Sequence, residues 1–125
     1  MDIKKIDSVT MSVRDLETAS RFYTETLGLP EIWRMEDRGS RGFGVGDNSA
    51  TINIERSKGP GMALIIQVER VDEARRELEA KGVRFDGATE RIPEIGMIAT
   101  LRDPDGNRLM LLDYTIEHAR EQQGG

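Results

Sequence analysis

The sequence contains no cysteine and a single histidine, His118, in 125 residues. Without thiols there can be no disulfide, no thiolate nucleophile and no iron–sulfur cluster, and Cys/His zinc sites go with them. The single histidine also weakens any proposal of a metal held by two imidazoles. No segment approaches the roughly 18 consecutive apolar residues of a membrane-spanning helix. The first ten residues, MDIKKIDSVT, lack the apolar stretch of a signal peptide. The expectation is a cytoplasmic protein with no membrane partner. Positive charge is not in surplus either: 18 Lys and Arg stand against 23 Asp and Glu, a net charge of -5. Nucleic-acid binding needs a basic face, so no nucleic-acid partner is expected. What remains is an ordinary globular composition, 37% hydrophobic, in a length that suits one domain with a real core. Carboxylates are the one plentiful class of metal ligand.

The chain repeats itself. The segment from Val9, VTMSVRDLETASRFYTETLGL, superposes on the segment from Leu64, LIIQVERVDEARRELEAKGV, at an offset of 55 residues. Val13 meets Val68, Ala19 meets Ala74 and Arg21 meets Arg76. One residue is lost near the helix end, so that Gly28 meets Gly82. Each segment reads as a short strand, an amphipathic helix, a glycine stop and then further strands.

In the first segment, residues 6–13 alternate: Val9, Met11 and Val13 point one way, Ser8, Thr10 and Ser12 the other. A helix over 16–27 follows, with Asp15 placed to cap it and Gly28 to close it. In the second segment Leu64, Ile66 and Val68 form one face and Ala63, Ile65 and Gln67 the other. A helix over 71–81 ends at Gly82, and Arg70 stands where Asp15 stood, so that side-chain cap is lost. Further strands are predicted at 31–36, 42–46 and 51–55, and at 84–86, 97–102 and 108–113. Residues 57–61 link the units, Pro104-Asp105-Gly106-Asn107 is a hairpin turn, and the tail from Ile116 is polar. The fold class that follows is α+β: two βαβββ units, about residues 4–56 and 62–114, in a single domain. Pairing them gives a curved mixed sheet with an internal cup and the helices outside.

Several motifs suggest chemistry and fall short of it. The run Asp103-Pro104-Asp105-Gly106-Asn107 lacks the third oxygen residue and distal Glu of a calcium loop. Gly42, Gly44 and Gly46 have neither the spacing nor the following Lys-Ser/Thr of a phosphate loop, and read as strand or bulge glycines. His118 reads as a surface residue. Trp33, the only tryptophan, either packs in a core or stacks on a planar ligand. Met35, Met97 and Met110 either line the cup or fill the core. Glu36 and Glu55 either face the cup or sit solvated at strand ends. Arg34, Arg102 and Arg108 are alternative inward-facing charges, so the sign of the cup's charge stays open.

Three stretches carry a family resemblance. They are Val13-Arg14-Asp15-Leu16-Glu17 with Arg21-Phe22-Tyr23 and Leu27-Gly28-Leu29; Val71-Asp72-Glu73-Ala74 with Leu78 and Ala80-Lys81-Gly82-Val83; and Arg102-Asp103-Pro104-Asp105-Gly106-Asn107. Together they resemble the vicinal oxygen chelate superfamily of glyoxalase I, bleomycin-resistance proteins and extradiol dioxygenases. The resemblance implies the cup-shaped fold and up to four metal-ligand positions on the cup face. On this chain those positions carry Ser8, Asn53 (with Glu55 two residues on), Ala63 and Met110. None supplies an imidazole or a carboxylate, so no metal and no cofactor is expected. Metal-free members of the family bind a small molecule in the cup, often as dimers. The function expected by this resemblance is metal-free binding of a small-molecule ligand by a homodimer. Ser8, Thr10, Trp33, Asn53, Glu55, Gln67 and Met110 would line the site. The alternative is a glyoxalase-like lyase, isomerase or dioxygenase with an atypical divalent metal site.

Overall fold

A computed structural model describes residues 1–57 and 61–116. His118, the polar tail and the centre of the inter-unit link lie outside the described residues. In chain order the elements are β1 (Ile3–Val13), α1 (Leu16–Arg21) continued by a π-helical turn (Phe22–Thr26), β2 (Glu31–Met35), a 3-10 turn (Glu36–Arg38), β3 (Ser40–Val45), β4 (Ala50–Arg56), β5 (Met62–Val68), α2 (Val71–Ala80), β6 (Phe85–Ile92), β7 (Gly96–Arg102) and β8 (Arg108–Leu112). The chain is therefore α+β, and the strand–helix–three-strand order occurs twice. Its contacts form two compact units, one of residues 7–64 and the other of residues 1–6 with 65–125. β1 and β5 each divide their residues between the two.

In the unit of residues 7–64 the strands lie in the order β2-β3-β4-β1. β2, β3 and β4 are antiparallel neighbours, while β1 runs parallel to β4. Alternation along β1 and β4 turns Val13 and Ile54 toward α1, where they join Leu16, Phe43, Ala19, Tyr23 and Leu29 in one apolar cluster. The Asp15 carboxylate accepts from the Thr18 N–H at 3.0 Å and caps α1 as its position predicts. The α-helix is shorter than the apolar spacing predicts. The Thr24 hydroxyl donates to the Ser20 carbonyl at 2.9 Å, a bond that competes with the regular ladder. From Phe22 the chain widens into the π-helical turn, closed by the Leu27 N–H on the Phe22 carbonyl at 3.0 Å. Tyr23, in that turn, stacks on Phe43 with ring centroids 5.3 Å apart.

In the other unit the order is β5-β8-β7-β6. Val68, Val71, Ala74, Ala99, Leu101 and Leu111 form the core beneath α2. Met97 packs against this cluster, so it is a core residue and not one that lines the opposite face. Ile65, Ile98 and Leu112 form a second cluster with Met110 and Tyr114 packed against it. Both faces of this sheet are thus apolar. β6 runs well beyond the predicted 84–86, because a register shift between Asp86 and Glu90 lets the strand continue past Gly87.

Arg70 gives α2 no side-chain cap, as expected. The cap comes instead from a residue 42 positions after Val71: Asp113 Oδ2 accepts the Val71 N–H at 2.8 Å. Its Oδ1 accepts the Met97 N–H at 3.0 Å and the Thr115 hydroxyl at 2.7 Å. Asp113 is 2% exposed. One buried carboxylate thus ties the start of α2 to β7 and to the end of β8. Gly96 is part of the same junction, since a Cβ there would overlap the Asp113 carbonyl.

Candidate functional site

The polar residues of the unit of residues 7–64 gather on the sheet face opposite α1. Register fixes this. Trp33 on β2 pairs with Gly42 on β3, Gly42 with Asn53 on β4, and Asn53 with Thr10 on β1. Residues side by side across strands share a face, so one row crosses the whole sheet. The row on one side of it is Met35–Ser40–Glu55–Ser12; on the other side it holds Gly44, Thr51 and Ser8. Asn53 and Ser8 are buried and Glu55 is exposed.

The middle of this face is a hydrogen-bonded ladder. The Thr51 hydroxyl donates to Asn53 Oδ1 at 2.8 Å, and Asn53 Nδ2 donates to the Thr10 hydroxyl at 3.4 Å. The Asn53 amide is thereby oriented, while one of its N–H groups and the Thr10 hydroxyl keep donor capacity. The Ser8 hydroxyl donates to Asp7 at 3.0 Å. Trp33 lies over Gly42, and a Cβ at position 42 would fall inside the indole. The glycine that reads as a flexible strand residue is thus the seat of the tryptophan.

Cations occupy the opposite side of the same sheet. Arg41 is 3% exposed beneath α1. It donates to the Ser20 hydroxyl at 2.7 Å and pairs with Glu17. Its guanidinium, by hydrogen bond and charge, holds the Glu17 carboxyl below the usual range. Arg34 bridges Glu31 at 2.9 Å and Glu36 at 3.0 Å, which raises its pKa further. This takes Glu36 and Arg34 out of the candidate face. Arg56 alternates with Glu55 and lies against Gly39.

Gln67 and Met110 belong to the other unit. Gln67 is half-buried and alternates with Ile66 and Val68, which pack toward α2, so it shares its side with Ile65. Met110 pairs with Thr100 across β7 and β8 and packs on the Ile65–Ile98–Leu112 cluster. Arg102, an alternative inward charge, instead pairs with Asp86 at 2.9 Å.

The four positions that the family resemblance assigns to metal ligands do not fit a divalent cation. Ser8 and Asn53 are neutral, Ala63 is fully buried with no side-chain donor, and Met110 offers a thioether. Hard cations need anionic oxygen, and borderline ones need imidazole, thiolate or carboxylate. Among the described residues no three or more Asp, Glu, His or Cys side chains are grouped so as to hold an ion.

The family model of the Glyoxalase/Bleomycin resistance protein/Dioxygenase superfamily matches residues 5–111, and the chain belongs to that superfamily. Among individual proteins it is similar to virulence protein STM3117 of Salmonella typhimurium, 28% identical over 129 residues, covering 91% of this chain and 87% of the relative. Its fold is similar to that of methylmalonyl-CoA epimerase from Mycobacterium tuberculosis, with a TM-score of 0.77 at 23% identity over 94% of this chain and 93% of the other. It is also similar to homoprotocatechuate 2,3-dioxygenase from Brevibacterium fuscum, with a TM-score of 0.73 at 19% identity. That match covers 90% of this chain and 37% of the other. At these identities the two solved structures establish the fold. No helix among the described residues is long and apolar enough to cross a membrane.

Proposed function

We propose that this protein is a small-molecule binder of its superfamily that holds its ligand without a divalent metal. Ser8, Thr10, Trp33, Asn53 and Glu55 present the binding face of the unit of residues 7–64. Gln67 and Met110 belong to the apolar binding face of the other unit. The observation that carries this reading is the state of Asn53. At a position where the family uses a metal ligand, the side chain is a neutral amide anchored by Thr51 and Thr10, and the indole of Trp33 lies in the same row. Such a face offers hydrogen bonds and an aromatic surface but no Lewis acid. The same reading takes the protein to be a cytoplasmic homodimer; exposed apolar side chains such as Ile3 and Met62 are surface that a second copy would cover.

The test is metal content by mass spectrometry after purification without chelators, followed by titration with zinc, nickel, manganese and ferrous ions. The expected result is less than about one-tenth of an equivalent bound, with no saturable uptake. One equivalent per chain that survives dialysis overturns the proposal. Light scattering on the same preparation reads the oligomeric state.

A further inference from the structure

We infer that the ligand of the polar face carries a positive charge a short distance from a flat unsaturated ring, and that this face turns anions away. The inference rests on the reading of that face as a binding surface. Its warrant is the distribution of charge across one sheet. Among the described residues of its four strands within 7–64, Glu55 is the one charged side chain that register and alternation place on this face. Its row neighbours are the hydroxyl residues Ser12 and Ser40, and it has no ion pair among the described residues. The arginines of β2, β3 and β4 all lie on the other side. Arg41 is sequestered under α1 with Ser20 and Glu17, Arg34 is held between Glu31 and Glu36, and Arg56 lies against Gly39. Among the described residues of these strands, an anion placed on the polar face therefore meets a carboxylate and no cation. A cation meets Glu55 on one side and the π face of Trp33 on the other.

Spacing sets the size of the ligand. Trp33 and Glu55 are two strands apart and one pleat repeat along, roughly 12 Å between Cα atoms from standard strand dimensions. The indole leans across Gly42 and shortens that span. Between the two stand the free donors of Asn53 and Thr10. A ring with an ammonium group two or three bonds away spans this arrangement; a carboxylate of the same shape sets like charges together.

Trp33 is the only tryptophan in the chain, so its fluorescence reports from the face itself. The full-length protein is titrated with 2-phenylethylammonium and, separately, with 3-phenylpropionate, which share a ring and a chain length but differ in charge. The expected result is a saturable change in Trp33 emission with the cation at least about fivefold tighter than with the anion. In Glu55→Gln that preference should shrink to within about twofold. Equal or tighter binding of the anion overturns the inference while leaving a binding face. A preference that survives in Glu55→Gln overturns the role of Glu55. If neither probe moves Trp33 emission saturably, the inference fails, and the metal measurement still decides the broader proposal on its own.

Discussion

Replacing Asp113 by alanine should destabilise the fold by about 4 kcal/mol. The side chain ends four hydrogen bonds: the Val71 N–H at 2.8 Å, the Met97 N–H at 3.0 Å, the Thr115 N–H at 3.2 Å and the Thr115 hydroxyl at 2.7 Å. Thr115 is half-buried and can turn to water. Val71 is fully buried, and the Met97 N–H sits inside the same junction. Each stranded backbone donor costs about 1–3 kcal/mol, so two of them cost about 2–6 kcal/mol. Against a typical total of about 5–15 kcal/mol the change is large enough to measure without ambiguity. Asp113→Asn keeps one carbonyl oxygen and should lose about half as much. Urea unfolding followed by far-ultraviolet circular dichroism reads both, provided the slope on denaturant is unchanged. Amide exchange at Val71 and Met97 should accelerate in the alanine variant. A loss below about 1 kcal/mol at constant slope would refute the claim that a distant carboxylate replaces the missing cap of α2.

Gly42→Ala should displace Trp33 from the sheet, because the added Cβ falls inside the indole. A red shift of the single tryptophan emission and a loss of about 1–3 kcal/mol are expected; an unchanged spectrum would show that Trp33 does not rest on Gly42. In the β7–β8 hairpin, the Asn107 side chain, then backbone N–H groups, hold the Asp103 carboxyl below the ordinary value of 3.8. Because the folded-state pKa is the lower one, this stabilisation is present above that ordinary value and is lost as pH falls through the depressed folded value. Carbon-detected titration of Asn107→Ala should show Asp103 moving up toward 3.8, and no movement would remove Asn107 as the cause.

What could be read from the residues in order was whatever depends on near neighbours. The alternation of β1 separates Val9, Met11 and Val13 from Ser8, Thr10 and Ser12 with a period of two, and the strand forms with that split. Asp15 caps α1 because capping reaches only three residues. Thr10, Trp33, Asn53 and Glu55 were each legible as candidates, but their grouping into adjacent rows depends on pairing between β1, β2, β3 and β4, which no local pattern records. The role of Gly42 was hidden for the same reason: a glycine gives no sign of which side chain will lie on it. Arg41 carried no signal in the sequence, because its burial depends on Ser20 and Glu17 being brought over it. Asp113 left one trace, the uncapped Arg70, and nothing in the sequence said that a residue so far along the chain would supply the bond.

The π-helical turn after α1 has a meaning for the repeat as a whole. From Val13 to Gly28 the first unit has one residue more than the second has from Val68 to Gly82. An ordinary α-helix would pass that surplus on as a rotation of everything after it. Here the wider turn at Phe22–Thr26, with its bond spanning five residues, takes the surplus up where it arises. The chain leaves at Gly28 with φ of 74°, much as it leaves at Gly82 with φ of 93°. The turn acts as a length buffer: the outer helical layer can gain or lose a residue while the strand rows bearing Trp33, Asn53 and Thr10 keep their alignment.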